Sequence, residues 1–258
     1  MPRLALLIIT FNEETNIKAC IESASFADEI IVVDSGSTDG TVAIAEELGA
    51  KVYYHKMTSF AEQRNIALEN TTADWVLFLD ADERISPELA QTIQDAINNP
   101  REFHGFKLPR RSYFMGRWVR GWYPDRVLRL FRREKGHYVG TVHESVQMEG
   151  PVGVFYQDII HYPYKDIESY MNKMNKYTTM AAQQMFDRGK RATVFDIISH
   201  PLFAVFKMYL LRRSFLDGMV GFLVSMLSGT YVFLKYSKLY FLQQKNFSTK
   251  TTLTRRLT

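Results

Sequence analysis

The chain of 258 residues is 46% hydrophobic and 14% aromatic, which is enough apolar material for a large core and argues against disorder. Its net charge is only +4, and the single cysteine, Cys20, excludes a disulfide within the chain and favours a reducing compartment. The length fits one large domain, or a domain with an appendage. The amino-terminal apolar run is too short for a signal peptide and lacks a small-residue cleavage site, so we expect it to be the first strand.

Strands and helices are predicted to alternate through the first hundred residues. Buried strands are expected at 4–10, 30–33, 51–54 and 75–79, and helices at about 14–23, 41–48, 60–69 and 87–97. Short apolar strands separated by helices of about ten residues indicate right-handed βαβ units and a parallel sheet that is covered on both faces.

Polar residues follow three of these strands, at 10–14, 34–39 and 80–83. Ligands of open α/β sheets bind at the carboxyl ends of the strands, so these segments predict a site at one edge of the sheet. The third segment contains Asp80, Asp82 and Glu83, whose carboxylates would suit a divalent cation. The alternative, that these acids cap the next helix, is disfavoured because Ser86 and Pro87 already supply the N-cap and the first helical residue.

Two common nucleotide-binding classes are not expected. The glycine fingerprint of dinucleotide binding is missing after the first strand, and the sequence contains no P-loop motif. A Rossmann dehydrogenase and a P-loop NTPase are therefore both disfavoured.

Four motifs in the order TFNEE, VVDSGSTDGT, QRN and DADE resemble those of family 2 glycosyltransferases. The resemblance continues through RLFRR, VHE and HYPY, where the chain is similar to the subgroup that includes lipopolysaccharide core β-1,4-glucosyltransferases. It implies an α/β chain with the GT-A nucleotide-diphospho-sugar transferase fold. Such a fold has a mixed, mostly parallel sheet with helices on both faces, here followed by a C-terminal helical extension.

The resemblance also implies a donor site for a UDP-sugar. The residues expected to line it come from three of these motifs and are Thr10, Asn12, Glu13, Asp34, Ser37, Arg64 and Asn65. Asp34 would hydrogen-bond the uracil ring, and Arg64 and Asn65 would lie along the nucleotide and its phosphates. Asn12 and Ser37 could instead only form turns, and Arg64 could be a solvated helix charge.

The segment Asp80-Ala81-Asp82 matches the DxD motif of such enzymes, and Asp80 and Ala81 are also expected to line the donor site. The resemblance implies that Asp82 binds Mg²⁺ or Mn²⁺, and that Asp80 reaches the ribose or a metal-bound water. A divalent cation would neutralise the charge that develops on the leaving pyrophosphate. His161 could reach the metal or the diphosphate, although a lone histidine is more often structural.

An inverting transfer requires a base near the acceptor hydroxyl. The acidic candidates after the DxD motif are Asp125, Glu134, Glu144, Glu149 and Asp158. Glu144 is the expected base because the VHE triplet resembles the subgroup pattern, and Asp125 is second. His143 could position the base or touch the acceptor, although a lone histidine is more often structural. This pattern departs from the ED motif of the wider family, and the alternative for Glu144 is an ion pair with an arginine.

Basic residues are concentrated between Arg101 and Arg133, whereas the first hundred residues are acid-rich. Within this segment, strands are expected at 104–108 and 113–115, on either side of Arg110 and Arg111. This asymmetry predicts an acidic metal site and a basic surface that meets an anionic partner. Interleaved aromatic residues would also fit a single-stranded nucleic acid. The metal motif and the modest net charge favour an anionic glycolipid acceptor and no nucleic acid.

The last third of the chain predicts amphipathic helices. Asp166 should cap a helix that continues to about residue 186, and the uncharged run at 219–234 is shorter than the ~20 residues that span a bilayer. We expect helices that lie in the membrane interface, or else a helical hairpin packed on the domain or at an oligomer interface. The predicted organisation is a catalytic domain at 1–163, a membrane-associating extension at 164–245 and a flexible tail at 246–258.

The resulting hypothesis is an inverting hexosyltransferase on the cytoplasmic face of the bacterial inner membrane. It would transfer a hexose, expected to be glucose, from a UDP-sugar to an inner-core heptose of lipopolysaccharide or lipooligosaccharide. The alternatives are transfer to another cell-surface polysaccharide or lipid-linked acceptor, and a non-catalytic nucleotide- or RNA-binding membrane adaptor. A nucleotidyltransferase would normally show a glycine- and lysine-rich first loop, and TFNEE is not one.

Overall fold

The computed structural model describes the backbone of residues 1–140 and 144–254 and the side chains of residues 1–140 and 144–244. The chain forms two compact units. The first comprises Met1–Tyr113 and Tyr123–Pro163, and the second comprises Phe114–Trp122 and Tyr164–Thr258. The predicted role of His143 lies outside the described residues.

Strands and helices alternate in the first part of the chain, and the described residues after 166 form helices and the turns between them. In chain order they are β1 (Leu4–Thr10), α1 (Ile17–Ser23), β2 (Glu29–Asp34), α2 (Thr41–Glu47), β3 (Lys51–Tyr54), α3 (Phe60–Glu69), β4 (Trp75–Asp80), β5 (Glu83–Ile85), α4 (Pro87–Asn98), β6 (Gly105–Phe114), β7 (Arg117–Trp118), β8 (Asp125–Arg132), β9 (Gly136–Val139), β10 (Ser145–Met148), β11 (Val152–Val154), β12 (Ile159–His161), α5 (Ile167–Asp187), α6 (Val194–Phe206) and α7 (Gly218–Thr254).

The main sheet of the first unit is mixed and mostly parallel. Its strand order is β3-β2-β1-β4-β8-β6-β12-β5, and β11 also pairs with β6. The strands β1 to β4 are parallel, β8 runs antiparallel between β4 and β6, and β12 is parallel to β6 and antiparallel to β5. Strands β9 and β10 form a separate antiparallel pair. The predicted parallel sheet is therefore extended by an antiparallel strand that begins a second half.

The central strands β1 and β4 are buried on both faces, which explains their continuous apolar sequences. Successive side chains point to opposite faces, so alternate residues enter two different clusters. Leu6 and Leu77 pack with α1 and α4, whereas Leu7 and Phe78 pack with α3. Helix α4 begins as predicted, with the Ser86 hydroxyl accepting a hydrogen bond from the Leu89 N–H at 3.2 Å.

Strand β6 corrects one prediction. Two strands were expected at 104–108 and 113–115, on either side of Arg110 and Arg111, but Gly105–Phe114 is one continuous strand. It pairs with β8 through Arg110 on one side and with β12 from Arg110 to Ser112 on the other. The two arginines fit inside the strand because their guanidinium groups bind the carboxylates of Asp125 and Asp158.

The second unit is helical. Helix α5 begins with a capping box between Asp166 and Ser169, close to the predicted start. Helix α7 extends beyond the uncharged run at 219–234, and two lysines that follow this run have partners. Lys235 lies over the Tyr231 and Tyr236 rings, and Lys238 donates hydrogen bonds to oxygens of α5.

Length and composition alone would allow two segments of the second unit to cross a membrane. In the part of the chain that the structure describes, these are Val194–Leu211 and Ser214–Gln244. The uncharged run at 219–234 is too short to span a bilayer, but the segment that contains it is long enough. The flexible tail predicted at 246–258 stays a prediction, since 255–258 lie outside the described residues and α7 ends at Thr254.

Candidate functional site

The ends of β1, β2 and β4 lie side by side at one edge of the sheet. Thr10 is in register with Asp34 on β2, and Ile9 is in register with Asp80 on β4. Because adjacent strands are ~4.8 Å apart, the backbones of Asp34 and Asp80 flank β1 at about 10 Å from each other. The polar segments that follow the three strands therefore border one common space.

Asp34 organises the loops at this edge. Its carboxylate accepts hydrogen bonds from the N–H groups of Gly36 (2.7 Å) and Ser37 (2.8 Å) and from the Ser37 hydroxyl (2.5 Å). The Ser37 hydroxyl accepts from the Asn12 N–H at 2.8 Å, and the Asn12 side chain accepts from the Thr38 N–H at 2.9 Å. Asn12 and Gly36 both have positive φ, at 55° and 98°. Asn12 and Ser37 thus form turns that join the first two loops, and their role at the donor stays a prediction.

Thr10 and Glu13 have different surroundings. The N–H of Glu13 donates to the Thr41 hydroxyl at 2.8 Å, and its carboxylate accepts from the Asn16 amide at 2.7 Å. The Thr10 hydroxyl is buried without a hydrogen-bond partner among the described residues. Since a buried hydroxyl without a partner is costly, Thr10 is a candidate contact for a ligand at this edge.

Two arginines bind Asp80. The Arg64 Nη2 lies 2.6 Å from Oδ1, and Arg129 Nη2 donates to Oδ2. Burial would raise the pKa of Asp80, but Arg129 and Arg64 outweigh it and hold this pKa well below its usual range. Arg64 is buried between the rings of Phe78 and Tyr138, at 5.6 and 5.3 Å from their centroids. It is not a solvated helix charge.

Glu83, whose carboxylate the sequence predicted as a possible cation ligand beside Asp80 and Asp82, instead completes this network of ion pairs. Its fully buried carboxylate accepts from Arg129 (2.9 Å), from Arg110 (3.2 Å) and from the Asp80 N–H (3.0 Å). Arg110 also binds Asp125. The only sequence signal for this network was a set of charged residues within otherwise apolar strands, which did not specify their partners.

Asp82 and His161 are suited to holding a divalent cation. The His161 Nε2 lies 3.6 Å from the Asp82 Oδ1, and its Nδ1 lies 2.9 Å from the Ser112 hydroxyl. Burial lowers the pKa of His161 to about 4, so its imidazole is neutral near pH 7 and can ligate a metal. Groups of three or more His, Cys, Asp or Glu do not occur as a metal cluster within the described ranges. A cation here would therefore complete its shell with ligand oxygens and water, which fits the chemistry of Mg²⁺ and Mn²⁺.

Two other predicted donor-site residues have partners within the protein. The side-chain amide of Asn65 donates to the Tyr138 carbonyl at 2.9 Å and accepts from the Tyr138 N–H at 2.8 Å, so it joins α3 to β9. The backbone carbonyl of Ala81 accepts from the Arg84 guanidinium at 2.6 Å. Both residues lie next to the site, and these contacts shape its walls.

The two preferred base candidates both lie beside arginines of the Asp80 network. The Glu144 Oε1 is 3.7 Å from the Arg64 Nη2 and its side chain is 24% exposed. Asp125 binds Arg110 and its side chain is 44% exposed. The other candidates pair with basic residues outside this network: Glu134 with Arg133, Glu149 with Lys135, and Asp158 with Arg111.

Only some of the basic side chains between Arg101 and Arg133 are exposed at the surface. Arg129 and Arg110 are committed to the buried network, and Arg111 binds Asp158. Lys107 and Arg126 are exposed. The predicted basic surface therefore contains fewer arginines than the sequence suggested.

Comparison with known proteins identifies the family. The model of Glycosyl transferase family 2 matches residues 5–148. The chain belongs to glycosyl transferase family 2. This family 2 glycosyltransferase is similar to the lipopolysaccharide core biosynthesis glycosyltransferase LpsC of Rhizobium meliloti. The two are 33% identical over 255 residues, and the match covers 93% of each chain. The family and the fold predicted from the ordered motifs are thereby confirmed.

The chain is also similar to other proteins. An uncharacterised glycosyltransferase of Rickettsia felis is 32% identical over 256 residues, covering 93% of this chain and 90% of the relative. A crystal structure of S. aureus TarS 1-349 in complex with UDP-GlcNAc has 16% sequence identity and a TM-score of 0.49, covering 71% of this chain and 66% of that chain. The family assignment does not depend on this partial structural overlap.

Proposed function

We propose that this glycosyltransferase is an inverting, metal-dependent enzyme. It transfers a hexose, which we propose to be glucose, from a UDP-sugar to an inner-core heptose of lipopolysaccharide. The observation that carries the proposal is the juxtaposition of Asp82 with a neutral His161 at the edge where the first strands end. The similarity to LpsC over 93% of the chain supports the acceptor class.

The residues of the site suit each part of such a transfer. Asp82 and His161 would hold the cation, which would supply positive charge to the leaving diphosphate. Thr10 and the loop organised by Asp34 would receive the nucleoside. Arg64, whose Nη2 lies beside Asp80 and Glu144, would attract a diphosphate bound at this edge through its buried positive charge.

The acceptor side requires one proton transfer. Glu144 would take the proton of the acceptor hydroxyl while that oxygen attacks the anomeric carbon from the side opposite the diphosphate. The bond between the anomeric carbon and the diphosphate oxygen then breaks, and the configuration is inverted. Exposed Lys107 and Arg126 would favour an acceptor that carries phosphate.

Thermal stabilisation by nucleotide sugars tests the donor. The protein would be heated with UDP-glucose, UDP-galactose, UDP-GlcNAc or GDP-mannose, each with Mn²⁺, with Mg²⁺ or with EDTA. We expect a UDP-sugar to stabilise the protein only when a cation is present, because the cation would neutralise the diphosphate in the site. The expected size is roughly 2.7 kcal/mol in the free energy of unfolding for a ligand at 100 times its Kd. Equal stabilisation in EDTA would contradict the metal role, and no stabilisation by any donor would contradict the proposed function.

The membrane-associating extension is proposed to lie on anionic lipid at the cytoplasmic face of the inner membrane. Large apolar side chains of α6 are exposed along its length, including Phe195 at 75% and Leu202 at 66%. The exposed basic residues Lys207, Arg212 and Arg213 follow them in the chain. An exposed apolar helix face bordered by basic residues is typical of a helix that lies in the interface.

Replacing both Phe195 and Leu202 with Glu is expected to weaken binding to phosphatidylglycerol-containing vesicles at least 10-fold, measured by sedimentation. The reason is that two charges would enter the apolar face, while UDP-sugar hydrolysis should be unchanged. Tyr156→Glu, at an 85% exposed aromatic residue of the first unit, is the matched control and should bind like the wild type. If the double variant bound vesicles normally but changed the oligomeric state by light scattering, α6 would instead be an oligomer interface.

A further inference from the structure

Glu83 is a charged residue in a position that excludes water. It follows the DxD motif directly, begins β5, and its side chain has no exposed surface. Its neighbour Ile85 occupies the same short strand as part of the apolar core. A buried carboxylate is costly unless it is paired and hydrogen-bonded, so the contacts of Glu83 determine why a charge is kept there.

Both carboxylate oxygens of Glu83 have partners that lead to other site residues. Oε2 accepts a hydrogen bond from the Asp80 N–H at 3.0 Å. Oε1 is shared by Arg129, at 2.9 Å, and Arg110, at 3.2 Å. Arg129 extends to the Asp80 carboxylate, and Arg110 extends to Asp125. Glu83 therefore connects the DxD motif with the strands β6 and β8.

The two guanidinium groups require a shared counter-charge. Arg110 and Arg129 repel each other, and each is attracted by Glu83. Without this negative charge, Arg110 could turn toward solvent, because its side chain is partly exposed, whereas Arg129 is buried and could not. The orientation of Arg129 against Asp80 would then be less well fixed.

Stability alone does not explain this arrangement. Buried ion pairs are commonly no more stabilising than apolar residues of similar volume, because desolvation offsets the attraction. What the two guanidinium groups do provide is geometry, since the donors of each lie in one plane and Arg129 reaches both Asp80 and Glu83 through its Nη2. A geometric requirement at Asp80 gives a reason to keep these charges.

We propose that Glu83 is a positioning residue of the transferase, which holds Arg129 against Asp80 and Arg110 against Asp125. It does not touch the substrate. It fixes the first acid of the DxD motif relative to the acceptor-side strands, so that donor and acceptor groups keep a constant separation. This inference rests on the proposed function, because it requires Asp80 to serve the donor.

The test is a double-mutant cycle on kcat for the UDP-sugar that the donor screen identifies. Glu83→Gln, which keeps the shape and removes the charge, should lower kcat at least 10-fold in the otherwise wild-type protein. In the Asp80→Asn protein the same change should lower kcat less than 3-fold, because Glu83 acts through Asp80. Multiplicative effects, or a Glu83→Gln protein that loses only thermal stability, would overturn the proposal.

Two further variants keep the test decisive. If Glu83→Gln does not fold, Arg129→Lys keeps the charge but replaces the planar guanidinium, whose Nη2 contacts both carboxylates, by a flexible ammonium. This variant should lower kcat at least 10-fold with the same dependence on Asp80. Glu88→Gln, at an exposed carboxylate on α4, is the isosteric control and should retain wild-type kcat. Loss of activity in Asp82→Asn with full activity in Glu83→Gln and Arg129→Lys would reject this inference alone. A wild-type protein inactive with every donor would reject the proposed function.

Discussion

Asp82→Asn is expected to lower kcat for sugar transfer on the order of 100- to 1,000-fold while the protein remains folded. The reason is that Asp82 supplies the carboxylate of the proposed cation site, with His161 as its partner at 3.6 Å. An amide keeps the shape but removes the charge that attracts the cation. The measurement is kcat as a function of Mn²⁺ concentration, and the half-saturating concentration should rise as well.

The neighbouring Asp80 should behave differently in the same titration. Both of its oxygens bind arginines, so Asp80→Asn should lower kcat with a smaller change in half-saturating Mn²⁺ concentration than Asp82→Asn. Asp95→Asn, at an exposed carboxylate of α4, is the control and should match the wild type. Full activity of Asp82→Asn would remove the basis for a metal at this position.

Glu144→Gln is expected to lower transfer to the acceptor on the order of 100- to 10,000-fold, which is the usual contribution of a general base. Donor binding should persist, because glutamine still offers an oxygen to Arg64 and removes only the basicity. Thermal stabilisation by the UDP-sugar would report donor binding, and a product assay with a heptose acceptor would report transfer.

The comparison with Asp125→Asn decides between the two base candidates. Asp125 is paired with Arg110 and is more exposed than Glu144, so its loss should reduce transfer less. Glu149→Gln, at an exposed glutamate that pairs with Lys135, is the control and should have no effect. Near wild-type transfer by Glu144→Gln together with a large loss in Asp125→Asn would assign the base role to Asp125.

Local sequence patterns predicted the first half of the fold well. Apolar runs of strand length occur between helical periods, and the observed bounds of β1, β3 and α3 match the predicted ones. The second half of the fold was harder to predict from the sequence, because β6 carries arginines and a proline that locally favour a break in the strand. Pairing with β8 and β12, both distant in sequence, overrides that preference and gives one continuous strand.

The site residues show the same contrast between local sequence patterns and long-range packing. The amino-acid sequence by itself determined that polar groups follow three parallel strands, because strand length and polarity are local properties of the chain. Only the tertiary structure decided that Arg129 and Glu83 surround Asp80 and that His161 lies beside Asp82. Those contacts join residues of β4, β5, β8 and β12, and sheet register, which is set by long-range packing, determines which of these side chains meet.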